Sequence, residues 1–391
     1  MPEPGLRPLD VACGWPFDDE PPPATPLAPE RRETPADALE ALVLPSLERT
    51  PCVVSFSGGR DSSVVLAAAV RAARRHGVPL PVPVSFVFPH APRTVETEWQ
   101  ERVVRHLGLD DWVRVDRPEE LDYLGPAART MLRRHGVVFP ANAFWHSLVL
   151  EHAGGGALLT GAGGDELFGA WRWRRAADVL ARRERPRPRD AAHVALALAP
   201  PGARRLVRRR GSALELPWLR PAARRAVDRA YARRRAAEPL SWPRRVAWLG
   251  RLRYVALQQR TVGALAADAG ATAAHPFFHP RLLAAVAAAG GRHGFGDRTA
   301  ALRALFGDLL PADVLARPTK AVFSAVWQGA ATRRFAEEWD GTGVDPELVD
   351  VERLRELWRG SRSDARTSLL LHQAWLKSAP QDVDEYRTPK S

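Results

Sequence analysis

The stretch PCVVSFSGGRDSS, residues 51–63, followed at once by VVLAAAV, constrains the fold of this chain more than any other. Val53–Phe56 is a short β-branched and aromatic run that reads as a buried strand, and Ser57-Gly58-Gly59 can only be a tight turn. From Asp61 onward, Val64, Val65, Ala68 and Ala72 recur at helical spacing. Strand, glycine turn and helix start leave backbone N–H groups unpaired and pointing at an anion, with the helix dipole adding to the attraction. Gly58 and Gly59 let the backbone approach a phosphate because no Cβ intervenes. The hydroxyls of Ser57, Ser62 and Ser63 are candidate donors to its oxygens. Asp61 repels a bare phosphate, so its presence makes sense only if Mg²⁺ sits between them. The turn is not the GxxxxGK[ST] loop, because no Lys follows the glycines. The full strand–turn–helix context favours an anion site over an ordinary capped helix.

At 391 residues the chain has ample length for a core and about two domains by the usual size of domains. Its 45% hydrophobic and 26% charged residues are those of a soluble globular protein. No apolar run reaches the length of a membrane span, and the start, MPEPGLRPLD, lacks a signal peptide's apolar core. Two cysteines, Cys13 and Cys52, cannot form a disulfide framework or a zinc site, so a cytoplasmic location is expected. The net charge of +12 suggests nucleic acid at first sight. Yet the only lysines are Lys320, Lys377 and Lys390, and replacement of surface Lys by Arg in a GC-rich genome is the simpler cause. Arg204–Arg210 and Arg224–Arg235 read as solvated helix faces, and neither a nucleic-acid nor a membrane partner is expected.

Residues 1–35 carry ten prolines and read as an extended or disordered arm, in which GWPF (14–17) is the one stretch suited to docking. A short amphipathic helix, Asp37–Leu47, leads into the first strand. Then helix Asp61–His76, strand Val82–Phe88, helix Thr94–Leu107, strand Trp112–Val115, and helices Glu119–Arg134 and Ala143–His152 alternate. This predicts an α/β fold with a parallel sheet flanked by helices, whose ligands bind at the carboxyl ends of the strands. From Trp171 helical periodicity dominates. The expected division is an α/β nucleotide-binding core over 36–170 and a mainly helical region over 171–385, together one domain.

A second glycine-rich turn follows a short strand in LLTGAGGDELFG, residues 158–169, with Asp165 four residues beyond Gly161. Thr160 and Gly161 join the candidate nucleotide contacts. A second carboxylate beside a second such turn is what Mg²⁺ bridging pyrophosphate oxygens needs. The SGGRDSS turn resembles the SGGxDS signature of the PP-loop ATP pyrophosphatases, and TGAGGDELFG resembles the TGEGxDELFGGY segment of the asparagine synthetase family. The resemblance covers about residues 40–380 and implies that family's synthetase domain, with an adenine nucleotide alpha hydrolase-like fold. The glutamine-hydrolysing domain is not expected, since it needs a cysteine directly after Met1 and Pro2 stands there. HPFFHPRL, 275–282, resembles the family's PFLDxRL segment with His279 in place of Asp. That segment shapes the acyl-substrate side of the family's pocket, so a different substrate is expected. LPADVLARPTKAVF, 310–323, resembles LPxxVxxR…KxxF, with Arg317, Lys320 and Phe323 at the matching places. In the family this Lys contacts the phosphates. In a chain that has replaced nearly every Lys by Arg, a Lys at 320 suggests a need for a compact ammonium.

The resemblance implies that a carboxylate attacks the α-phosphorus of Mg²⁺-ATP, that pyrophosphate leaves, and that an amine converts the acyl-adenylate to an amide and AMP. Asp61, Asp165 and Lys320 are the expected catalytic residues, the two aspartates as metal ligands. Ala162 replaces the Glu of TGEG, a departure shared with lasso-peptide macrolactam synthetases and, more distantly, β-lactam synthetase, where the amine belongs to the substrate. Peptide or natural-product macrolactam formation and ammonia-dependent asparagine synthesis both fit. The partners are a small-molecule or peptide carboxylate and an amine donor, with a separate amidotransferase or precursor-peptide-binding protein. Two other classes stand beside this reading: a PP-loop RNA-modifying enzyme, which leaves TGAGGDELFG unexplained, and a non-catalytic peptide-binding descendant, which leaves Asp61, Asp165 and Lys320 unexplained.

Overall fold

The computed structural model describes residues 5–20, 22–27, 33–88, 96–169, 171–207, 214–317, 327–360 and 364–378. Strands β1 (Cys52–Ser55), β2 (Val82–Phe86), β3 (Val113–Val115), β4 (Ala157–Thr160) and β5 (Thr272–Ala274) form one sheet in the order β3-β2-β1-β4-β5. All neighbours pair in parallel, with Val53 opposite Val82 on one side of β1 and Ser55 opposite Thr160 on the other. Both faces are covered. Val53 and Leu158 point into one apolar core, whereas Cys52, Val54, Ala157 and Leu159 point into another. That is why these strands read as continuous apolar runs rather than alternating ones.

Helix Arg60–His76 follows β1 and ends at Gly77, whose φ of 67° is left-handed. Val64, Val65, Ala68 and Ala72 are buried along it, as the spacing predicts. It packs against helix Pro35–Leu47 over the second core. The helix expected over Glu119–Arg134 is instead a 3₁₀ turn, Pro118–Leu121, and a helix, Pro126–His135. Gly125 takes the cap position and Pro126 the first helical turn, where a missing N–H costs nothing.

The mainly helical later half contributes β5, which pairs with β4, so both halves share one sheet. One expectation needs correction. The first residues are not a free arm. Pro8–Cys13 is a helix that buries Val11, Ala12 and Cys13, and Trp15 packs on Tyr254 at 4.9 Å and Phe139 at 5.4 Å. Asp10, 2% exposed, is held by Arg7 at 3.0 Å and by Arg253 at 2.8 Å. Proline richness hid this turn of helix because Pro8 sits at its start, where proline is well suited. No helix among the described residues is long and apolar enough to cross a membrane.

Candidate functional site

Sheet order places the site. The chain runs from β1 outward to β2 and β3, then returns to the opposite side of β1 as β4. The carboxyl ends of β1 and β4 therefore flank a topological switch point, where open α/β sheets bind ligands. The turn after β1 is built from its own side chains. Ser57 Oγ lies 3.2 Å from Ser62 Oγ and accepts from Gly59 N at 3.3 Å, and Ser62 Oγ donates to Gly59 O at 3.1 Å. Gly58 has a φ of +75°, and a Cβ there would meet Gln100 Cγ at 2.7 Å. Arg317 Nη1 donates to Gly58 O at 2.7 Å. Its guanidinium is buried, paired with Glu96 and stacked 5.0 Å from the Trp99 ring. The turn after β4 comes in from the other side. Gly164 lies so close to the Asp61 carboxylate that a Cβ would collide with it.

Asp61 and Asp165 are thereby brought together, each at the start of a helix. Arg298 joins them: Nη2 donates to Asp61 Oδ2 and Nη1 to Asp165 Oδ1, both at 2.5 Å. Burial pushes the Asp61 carboxyl above its ordinary pKa despite the opposing pull of Arg298. Burial works against the charge of Arg298, but Asp61 and Asp165 more than offset it and raise its pKa. Asp61 Oδ1 is buried without a hydrogen-bond partner among the described residues. Among those residues no group of three or more His, Cys, Asp or Glu side chains converges as a metal cage. Two carboxylates with one unused buried oxygen still fit Mg²⁺, which characteristically takes one or two carboxylates and draws its other ligands from phosphates and water.

These groups open on a cavity of about 350 Å³. Arg60, Arg298 and Arg317 line its polar side, and Val84, Phe86, Phe88, Pro140 and Trp145 its apolar side. Behind it, Thr160 Oγ1 accepts from Ala162 N at 3.3 Å and is hydrogen-bonded to His275 Nδ1 at 2.6 Å. Burial, together with nearby His146, pushes His275 down to about 3, and burial pushes His146 down to about 4. Both imidazoles are neutral near pH 7.

Of the residues singled out in the sequence, Ser57, Gly59, Asp61, Ser62, Thr160, Gly161 and Asp165 line the cavity. Gly58 shapes it through its backbone. Ser63 does not line the cavity: one helical step beyond Ser62 turns it into the core, fully buried, with its hydroxyl unpartnered among the described residues. His279 is a helix cap, its Nδ1 accepting from Arg281 N at 3.2 Å at the start of helix Pro280–Ala289, so a capping duty explains a side chain with an acceptor at this position. Lys320 and Phe323 lie outside the described residues. Arg298, His146 and Glu96 were not legible in the sequence. Arg298 in particular is one Arg in a chain crowded with them, brought to the site from a distant helix start.

No curated protein matches this chain. The asparagine synthase family profile matches residues 37–377, which span every strand of the sheet and all the site residues named above. The chain therefore belongs to the asparagine synthase family.

Proposed function

We propose that this protein forms amides by way of an acyl-adenylate, consuming ATP and releasing pyrophosphate and AMP. Its family is one of ATP-dependent amide-forming ligases. The observation that carries the reading is the meeting of Asp61 and Asp165 at adjacent strand ends, across a glycine turn and a helix N-terminus suited to phosphate. The apolar wall of Phe86 and Trp145 suits a flat heteroaromatic base. The first-turn N–H groups, Ser57, Ser62 and Arg60 are assigned to the phosphates. Asp61 and Asp165 would hold Mg²⁺, which supplies positive charge at the pyrophosphate. A carboxylate oxygen attacks the α-phosphorus, and the bond to the bridging oxygen breaks as pyrophosphate leaves. An amine nitrogen then attacks the acyl carbon, the bond to AMP breaks, and the nitrogen loses a proton. Arg298 stays beside the carboxylates to balance charge, and Lys320, three residues along the chain from cavity-lining Arg317, is assigned the second compact cation.

The amine is assigned to the substrate itself, in peptide or natural-product chemistry, rather than to free ammonia. Ala162 lines the cavity at the position where asparagine synthetases carry Glu, so that position offers no carboxylate to an ammonium ion. A precursor-peptide-binding protein is the matching partner. The products decide the class: phosphorus NMR of a turnover mixture is expected to show AMP and pyrophosphate in equal amounts, and ADP with inorganic phosphate would overturn the assignment.

A further inference from the structure

The turn after β1 contains a peptide whose direction the turn's own sequence does not fix. Gly58, at φ +75°, and Gly59, at φ −70°, stand on either side of it. The peptide turns over by rotation at these two residues alone, and neither has a Cβ to resist. It is trans, so its C=O and N–H point opposite ways, and its direction decides whether a ligand in the turn meets a donor or an acceptor. The donor attracts a phosphate oxygen, whereas the carbonyl oxygen repels it.

The direction is set from outside the turn. Arg317, just past helix Ala312–Ala316, donates from Nη1 to Gly58 O at 2.7 Å. The Gly59 N–H is thereby turned the other way, toward the hydroxyl of cavity-lining Ser57 at 3.3 Å. That contact is long, so little is lost when a phosphate oxygen takes the place of the hydroxyl. A hydrogen bond from a charged donor is about twice as strong as a neutral one. The guanidinium itself is firmly placed: Arg317 is 3% exposed, its charge is matched by Glu96, and it stacks 5.0 Å from the Trp99 ring. Trp99 lies on helix Thr97–Leu107, Glu96 at its cap, and Gln100 of the same helix closes the space beside Gly58. One helix start therefore holds both the glycine and the arginine.

We propose that Arg317 is a positioning residue of the phosphate turn: by holding Gly58 O it keeps the Gly59 N–H facing the cavity, set for a phosphate oxygen of the nucleotide. The choice of ligand rests on the proposed ligase reading, whereas the direction of the peptide does not.

Two measurements test this. In the first, Mg²⁺-ATP and adenosine are titrated calorimetrically into wild type, Arg317→Lys and the double variant Arg317→Met/Glu96→Gln, in which no unpaired carboxylate is left behind. The double variant is expected to bind Mg²⁺-ATP at least about 10-fold more weakly and adenosine within about twofold of wild type. Arg317→Lys is expected to stay at least about fivefold weaker for Mg²⁺-ATP, because an ammonium lacks the flat fork that reaches Gly58 O and Glu96 while stacking on Trp99. It decides the matter even if the double variant fails to fold. In the second, NMR of ligand-free protein labelled with carbonyl-¹³C and ¹⁵N glycine selects the Gly-Gly pairs. The Gly58 carbonyl signal is expected to move upfield in the double variant, as loss of its hydrogen bond dictates. Wild-type affinity for Mg²⁺-ATP in the double variant, equal losses for ATP and adenosine, full rescue by Lys, or an unmoved Gly58 carbonyl signal each overturns the proposal. Failure of wild type to bind either ligand counts instead against the nucleotide site, and the carbonyl signal is read independently of it.

Discussion

Asp61, Asp165 and Arg298 set the character of the site. One guanidinium bridges the two carboxylates, and burial still pushes the Asp61 carboxyl above its ordinary pKa. A divalent cation held by the two carboxylates would add positive charge there, with Arg298 remaining beside them. Lys320 is the other residue whose role can be tested alone. If its ammonium neutralises charge in the transition state, Lys320→Ala lowers kcat by about 10² to 10³ and changes KM for ATP far less. Lys320→Arg is expected to rescue poorly, because a guanidinium is larger and aims its donors differently. Steady-state kinetics of the two variants check this, and an Arg variant equal to wild type would remove the argument from lysine scarcity. That argument was available from composition alone. Arg298 was not, because only the fold brings the start of helix Arg298–Phe306 across to β1 and β4.

Among the elements, β1 and β4 with the turns after them were legible because their function restricts their sequence. Each is a β-branched or leucine-rich run, then glycines, then an acid on a helix start. β5 was hidden because Thr272–Ala274 is three residues long and shows no alternation, so pairing with β4 rather than local propensity makes it a strand. Ser63 was misplaced for a related reason: a serine repeated in a motif says nothing of which way the helix turns it. The buried imidazoles of these elements also carry a pH dependence. His146 and His372 are pushed down to about 4 and His275 to about 3, in each case chiefly by burial. Below the ordinary imidazole pKa of about 6.5 the unfolded chain takes up protons on these three side chains that the folded chain refuses. Stability is therefore full above that value and falls as the pH drops through the window toward 4, by up to about 1.4 kcal/mol per pH unit for each imidazole. Asp61 and Asp18 act in the opposite sense, since their raised pKa values favour the folded state on acidification, whereas His279 and His293 are lowered and add to the three buried imidazoles. Urea unfolding is expected to show a lower midpoint at pH 5.0 than at pH 7.5. A midpoint that holds or rises at pH 5.0 would show that these imidazoles are not buried as neutral groups.

On the scale of the whole molecule, two cavities meet at Asp165, the first lined by Arg60, Arg298 and Arg317 beside the glycine turns and the second mostly apolar. The sheet and the following helices line the first, and the N-terminal segment, docked by its own buried side chains, forms part of the wall of the second. The basic composition contributes to this through single buried arginines such as Arg245, which donates to the carbonyls of Glu166 at 3.1 Å and Leu167 at 3.0 Å and so steadies the turn bearing Asp165. The central claim is that the carboxylate pair receives the triphosphate of ATP through a divalent cation. Equilibrium dialysis of ATP against wild type, Asp61→Asn and Asp165→Asn, with and without Mg²⁺, tests it without knowledge of the second substrate. ATP binding to wild type is expected to depend on Mg²⁺, and each Asn variant is expected to lose the Mg²⁺-dependent part by about tenfold or more. ATP bound equally well by all three proteins, with or without Mg²⁺, would contradict it.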